Sequence, residues 1–281
     1  MRLLRNVPAP AKLNLFLHVT GKRPDGYHLL QSVFMLVNWW DVLHFERRTD
    51  GLLLREDLTT ALPTEDLCLR AAHALKAASG TSLGALIQVD KRLPTQAGLG
   101  GGSSDAATCL LALNRLWGLN WPLSRLLSLA LTLGADVPFF VRGHNAWVQG
   151  MGEDLQPVQL PRARFAILKP AQGLETARVF QDAALKRDTS PATIIDFAAQ
   201  PFAFGRNDLQ AVAQALSPEV NQALKWLENQ GLKPRMTGSG SAVFALVGSH
   251  AVLTQPPHGW QLQMCSNLDI HPLAGWVSCD D

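Results

Sequence analysis

A chain that carries Gly98-Leu99-Gly100-Gly101-Gly102 cannot run a strand or a helix interior through that stretch, because each glycine there costs conformational entropy. Behind it stands an apolar, helix-forming run, Ala106 to Leu116. Ser103, Ser104 and Asp105 occupy the positions where an N-cap belongs. In front lies Ala85-Leu86-Ile87-Gln88-Val89, which reads as a strand. Strand, glycine loop and helix start together bring bare amides to the positive end of a helix dipole, a site that suits phosphate. The competing reading is a flexible surface turn, which has no need of four glycines and a serine pair against a helix start. A Walker loop needs Lys and then Ser or Thr after its last glycine, and Ser103-Ser104 stands there instead. The dinucleotide fingerprint fails as well, because its third glycine would fall at Ser103.

The length, 281 residues, allows one large or two modest domains, and 47% hydrophobic content supports a real core. A formal charge of +2 argues against a nucleic-acid footprint or a polybasic membrane surface. The longest uncharged apolar run, Leu126 to Ala135, is half a membrane span and contains Gly134. Met1 to Asn6 leads into prolines without an apolar stretch, so no signal peptide is expected. Cys68, Cys109, Cys265 and Cys279 form no C-x-x-C pair, and the eight histidines show no H-E-x-x-H spacing. This pattern fits a reducing cytoplasm rather than a disulfide scaffold or a zinc site.

Ala11 to Val19 alternates with period two. Leu13, Leu15, Leu17 and Val19 face one side; Lys12, Asn14, Phe16 and His18 face the other, as on a sheet with one solvated face. Pro24-Asp25-Gly26 is turn chemistry. His28 to Val37 and Val42 to Glu46 read as two strands, with Trp39-Trp40 between them as packing or an interface edge, and Leu52 to Arg55 as a further short strand. A helix starts at Pro63-Thr64-Glu65-Asp66, with acids in its first turn. Gly118 stops the helix behind the glycine loop, Pro122 opens another, and Gly134 stops that one. Asp136 then stands between Gly134 and an apolar run led by Pro138. It is either the N-cap of a short helix or a buried carboxylate in need of a partner, for which Lys12 is the natural choice.

Ala146 to Gly150 and Gln156 to Leu160 read as a hairpin. The composition changes after Pro161, which divides the chain into domains at 1–162 and 163–281. The second begins with a strand at Arg164 to Leu168, followed by helices at Thr176 to Ala184, from Asn207, and at Pro218 to Gln230. Met236-Thr237-Gly238-Ser239-Gly240-Ser241 leads into a strand at Ala242 to Val247. A full helix is expected after it, but Gln255-Pro256-Pro257-His258-Gly259 cuts that helix short.

The pattern Pro94-x-x-x-Gly98-Leu99-Gly100-Gly101-Gly102-Ser103-Ser104 resembles the ATP loop of the GHMP kinases, and Met236 to Ser241 resembles a further motif of that family. Pro10-Ala11-Lys12-Leu13-Asn14-Leu15, Asp25-Gly26-Tyr27-His28 and Gly134-Ala135-Asp136-Val137-Pro138 are similar to one branch, the 4-diphosphocytidyl-2-C-methyl-D-erythritol kinases. The resemblance spans roughly Pro10 to Val247. It implies an α+β fold in two domains, the second ferredoxin-like, with the active site in the cleft between them. It also implies ATP-dependent phosphorylation, with Mg²⁺, of the 2-hydroxyl of 4-diphosphocytidyl-2-C-methyl-D-erythritol, in the non-mevalonate route to isoprenoids.

The resemblance also assigns residues. Pro94, Thr95, Gln96, Ala97, Gly98, Leu99, Gly100, Gly101, Gly102, Ser103 and Ser104 would wrap the ATP phosphates, with Ser103 or Ser104 approaching Mg²⁺. Lys91 would reach the base or ribose, a solvated Lys being the alternative. Asp66 stands where relatives carry an Asn against adenine, but an Asp cannot donate as an amide does. Asp136 would be the general base and Lys12 would stabilise developing negative charge. Asn14 would orient the acceptor, and Gly238 and Ser239 would close on it. Tyr27 and Phe180 would sandwich the cytosine, with His28 on its edge and Thr176 in the same pocket. The expected partner is this small molecule alone, with no nucleic acid and no membrane, for a monomer or weak homodimer. Two other readings stand beside it. A homoserine or mevalonate kinase would have no use for Tyr27 and His28, and a non-catalytic sensor would not need both Lys12 and Asp136.

Overall fold

One long antiparallel ribbon opens the chain in the computed structural model, which describes residues 1–278 and so leaves Cys279 outside the described residues. β1 (Leu3–Lys22) pairs with β2 (His28–Arg48) across the Pro24-Asp25-Gly26 turn, where Gly26 takes φ +90. The two strands expected at 28–37 and 42–46 are therefore one. Pairing with β1 carries the backbone through the interval: Ala11 pairs with Val37 and Pro10 with Trp40, so the ladder shifts register and lets Asn38 and Trp39 bulge. Trp39 packs there against the buried cluster that contains Leu13, Met35 and Phe165.

β3 (Leu53–Asp57), β4 (Gly84–Asp90), β5 (Ala146–Gln149) and β6 (Asp154–Pro157) complete the first sheet, in the order β3-β4-β2-β5-β6 with β1 on β2. Four helices cover it: α1 (Leu67–Ser79), α2 (Gly101–Leu116), α3 (Leu123–Leu131) and α4 (Val137–Arg142). Their apolar faces form the first core with Phe34, Leu36, Leu43 and Ile87 of the sheet. Each fully buried Leu or Phe of this kind contributes about 1.5–3 kcal/mol.

The second sheet is built from β7 (Arg164–Lys169), β8 (Arg235–Met236), β9 (Val243–Val247) and β10 (Gln261–Ser266). Its order, β10-β7-β9-β8, is the fourth-first-third-second arrangement of a ferredoxin-like sheet, and every pairing is antiparallel. Between β7 and β8 lie α5 (Thr176–Gln181), α6 (Ile194–Ala199), α7 (Gln210–Leu216) and α8 (Pro218–Asn229). α5 is shorter than the helix expected to Ala184, because the backbone turns extended at Asp182. No helix forms between β9 and β10; instead Ala251, Leu253 and Trp260 of that connection pack against the core of α7, α8 and the sheet. The prolines stop the helix, and the apolar side chains still cover the layer. The fold is α+β. Residues 267–278 return to the first layer: Leu268 N–H donates to Leu36 O, His271 N–H to Gly143 O, and Leu273 joins the first core. Among the described residues no helix is long and apolar enough to cross a membrane.

β1 lies where the two sheets meet. Leu13, Leu15 and Phe16 pack with Phe165, Ile167 and Phe244, and Leu17 bridges to Asn207. This corrects the expectation of a solvated polar face: Lys12, Asn14 and His18 are all buried. Alternation alone could not reveal it, because the cover comes from residues near 200 and 237 in the chain.

Candidate active site

The glycine loop runs from β4 into α2 and makes the first wall of the site. α2 begins at Gly101, and Gly100 is its N-cap in the left-handed region at φ 72. Ser103, Ser104 and Asp105 are therefore not caps but lie in the first turns of the helix. Gly100 serves because it adopts this conformation freely and because a side chain would crowd Lys12 Cγ at 3.1 Å and Phe140 Cζ at 3.0 Å. The N–H groups of the first turn have no acceptor within the helix. Ser103 borders the cavity beside them, whereas the Ser104 hydroxyl is buried, lines no part of the cavity, and has no hydrogen-bond partner among the described residues.

The loop is clamped by the second glycine motif. Ala242 N–H donates to Ala97 O and Ser241 N–H to Gln96 O, each at 3.2 Å. Gly98, at φ +72, sits so close to this turn that an added Cβ would lie 2.2 Å from Thr237 O. Gly98→Ala is therefore expected to lower the urea-unfolding free energy by about 2 kcal/mol or more, and to raise KM for ATP. An unchanged midpoint and KM would contradict this close approach.

β1 supplies the second wall. Lys12 Nζ lies 3.3 Å from Asp136 Oδ2 and donates to Asn14 Oδ1 at 2.5 Å. Asn14 Nδ2 donates to Ser32 Oγ at 2.9 Å, and Ser32 Oγ to Phe16 O at 2.5 Å. The ammonium also stands 4.4 Å from the centre of the Phe34 ring. Asp136 holds the N-cap position of α4, yet its side chain makes no capping hydrogen bond, so the carboxylate is directed to Lys12 rather than spent on the helix. Asn14 is engaged in orienting Lys12, a role the sequence reading did not assign. Ser32 and Phe34 lie on β2, and only the pairing of β2 with β1 brings them here.

At the far end, Tyr27 is 64% exposed, and the ring facing Phe180 is His28, with centroids 5.2 Å apart at 36°. Tyr27, His28 and Phe180 all line the cavity at this end. Arg187 Nε–H donates to His28 Nε2 at 3.0 Å, and no motif marked that arginine. Burial, then the charges of Arg187 and Lys22, lower the His28 pKa. Thr176 and Ser239 hydroxyls are hydrogen-bonded at 2.8 Å, joining α5 to the second glycine motif beside Gly238.

Two residues assigned to the nucleotide line the cavity and also hold partners within the protein. Asp66 caps α1 by accepting from Leu69 N–H and pairs with Arg55 Nη1, both at 2.9 Å. Lys91 is not solvated: its Nζ lies 2.5 Å from Asp41 Oδ2 and 2.7 Å from Asp105 Oδ2, and all three side chains are buried. Burial works against the Lys91 charge, but the two carboxylates outweigh it and its pKa is raised. Burial also pushes the Asp105 carboxyl up to about 7, against the pull of Lys91. Asp41 further accepts from Arg92 N–H at 2.6 Å and Leu93 N–H at 2.7 Å, so this cluster pins the stem of the glycine loop.

Every residue assigned to the site from the sequence, except Ser104, lines one cavity of about 1030 Å³, walled by β1, β2, the glycine loop, α5 and the Gly238-Ser239 turn. The amides of the glycine loop, a Lys–Asp pair and an aromatic end share that space, which is large enough for a nucleotide and an acceptor together.

The chain matches the GHMP kinases N terminal domain over residues 66–144 and the GHMP kinases C terminal domain over residues 192–254. It is 60% identical over 280 residues to the 4-diphosphocytidyl-2-C-methyl-D-erythritol kinase of Albidiferax ferrireducens, covering 100% of this chain and 98% of the relative. A crystal structure of 4-(cytidine 5'-diphospho)-2C-methyl-D-erythritol kinase superposes with a TM-score of 0.73 at 36% identity, over 85% of this chain and 89% of that one. A homoserine kinase from Cytophaga hutchinsonii superposes with a TM-score of 0.67 at 15% identity, over 96% of each chain, a likeness of fold alone. Motifs, architecture and full-length similarity converge: this chain belongs to the GHMP kinases, within the branch of the 4-diphosphocytidyl-2-C-methyl-D-erythritol kinases.

Proposed function

We propose that this ATP-dependent small-molecule kinase transfers the γ-phosphoryl group to the 2-hydroxyl of 4-diphosphocytidyl-2-C-methyl-D-erythritol, a step of isoprenoid biosynthesis. The observation that carries the reading is the single cavity in which the Lys12–Asp136 pair stands between the glycine loop and the His28–Phe180 rings. The acceptor hydroxyl is tertiary, hindered and weakly acidic, so the reaction depends on positioning and charge neutralisation. Asp136 takes the hydroxyl proton as the oxygen bonds to the γ-phosphorus. The bond from that phosphorus to the β,γ-bridging oxygen breaks, and ADP leaves with the electron pair. Lys12, held by Asn14 and Ser32, stabilises the negative charge on the transferring group. The amides of Gly98 to Ser103 bind the phosphates.

Mg²⁺ fits this site. The Ser103 hydroxyl is a hard oxygen donor on the cavity wall, and Mg²⁺ needs few protein ligands once phosphate oxygens and water complete its shell. When bound with the nucleotide it neutralises phosphate charge. The buried Ser104 hydroxyl is the less suited of the serine pair. The proposed domains divide at 162/163, with residues 267–278 packed back on the first. A cytoplasmic enzyme accords with cysteines that form no C-x-x-C pair. A monomer or weak homodimer is checked by sedimentation.

The deciding assay is ADP release from ATP and Mg²⁺, with the cytidylylated acceptor run beside free methylerythritol, homoserine and mevalonate. Release with the cytidylylated acceptor alone is the expected result. Turnover with another acceptor would keep the kinase and discard the cytidyl reading. Silence with all of them, in a folded chain that binds ATP, would leave a sensor.

A further inference from the structure

The aromatic end of the cavity is held by Arg187, which follows α5 on an irregular connection. Its guanidinium bonds the His28 ring and the backbone of Phe180. Nε–H donates to His28 Nε2 at 3.0 Å, Nη2 to Phe180 O at 3.1 Å and Asp182 O at 2.7 Å, and Nη1 to Leu185 O at 2.9 Å. The arginine thereby ties the first residue of β2 to the C-terminal end of α5, where the His28 and Phe180 rings lie 5.2 Å apart.

A guanidinium has donors and no acceptor. His28 Nε2 must therefore offer its lone pair, and the neutral ring carries its proton on Nδ1. An imidazolium would lose that acceptor and meet a second positive charge. Nδ1 has no hydrogen-bond partner among the described residues, on a side chain that lines the cavity. The ring thus offers the site one group of defined sense, an N–H donor.

We propose that Arg187 is a positioning residue that fixes His28 as an Nδ1–H donor, and so makes the pocket select cytosine, with an acceptor at ring N3, over uracil, with an N–H there. The proposal rests on the cytidyl reading of the acceptor and deepens it. Against uracil the same donor meets another donor, and one unpaired polar contact is enough for about 10-fold discrimination.

Two measurements test this. Long-range ¹H–¹⁵N correlation spectra of the wild-type chain at neutral pH report the His28 tautomer directly: Nδ1–H is expected, and Nε2–H overturns the proposal. In steady-state assays, Arg187→Ala is expected to raise KM for the cytidylylated acceptor about 10-fold, with kcat changing less, while KM for ATP moves less than about twofold. The preference for cytidine diphosphate over uridine diphosphate as competing ligand should fall by about the same factor. Arg187→Lys, which keeps the charge but not the planar fork, should not restore it. A folded R187A enzyme with unchanged preference overturns the proposal alone. Failure of the wild-type chain to phosphorylate the cytidylylated acceptor overturns the functional reading and the base preference with it. If R187A does not fold, the wild-type spectrum still decides.

Discussion

Asp136→Asn lowers kcat at least about 100-fold, the lower end for a lost general base, while the melting temperature and KM for ATP stay close to those of the unaltered chain. The reason for separating chemistry from folding lies in the surroundings of this carboxylate. Its side chain is 29% exposed and makes no capping hydrogen bond to α4, so the amide of Asn neither leaves a helix end unsatisfied nor creates a cavity. What it removes is the group able to take the hydroxyl proton and the charge opposite Lys12, which keeps Asn14 Oδ1 as its acceptor. Rapid-quench measurement of the first turnover distinguishes a slow chemical step from slow product release. A kcat reduced by less than about 3-fold would take Asp136 out of the base role.

Lys12→Met is the second large effect, with kcat expected to fall by about 100- to 1000-fold, the loss seen when one preorganised charge-stabilising donor is removed. Methionine keeps the apolar stem whose Cγ packs beside Gly100, which limits the structural cost. The double variant with Asp136→Asn should lose little more than the worse single variant, because the groups lie 3.3 Å apart and act on one reaction coordinate. Additive losses in the double variant would show that the two residues serve separate steps. Asn14→Ala should reproduce part of the Lys12 defect, since it removes the acceptor that orients the ammonium.

Much of this site is local in the chain. The glycine loop, the helix behind it, and the Asp136 segment owe their form to backbone freedom and to stop signals within a few residues, so they are legible without a structure. The errors share another origin. Lys12 and Asn14 alternate with apolar residues as a solvated face would, and nothing near them indicates that Thr237 reaches across to accept the Asn14 N–H. Lys91 sits beside the loop, yet its partners are Asp41 on a distant strand and Asp105 inside the helix. Arg187 follows a charged, unpatterned stretch, and its acceptors are mostly carbonyls that any residue type would present.

By itself, then, the sequence determined most of the strands and helices of the first domain, the glycine loop and the candidate acid–base pair, because these rest on short-range conformational preference and on residue chemistry. The tertiary structure alone decided which polar groups are free to meet ligands. Lys12 is turned toward Asp136, Lys91 is consumed by two carboxylates, and His28 is held by Arg187. Each outcome depends on burial and on a partner far along the chain, and a charged group removed from water must pair with whatever the fold places beside it.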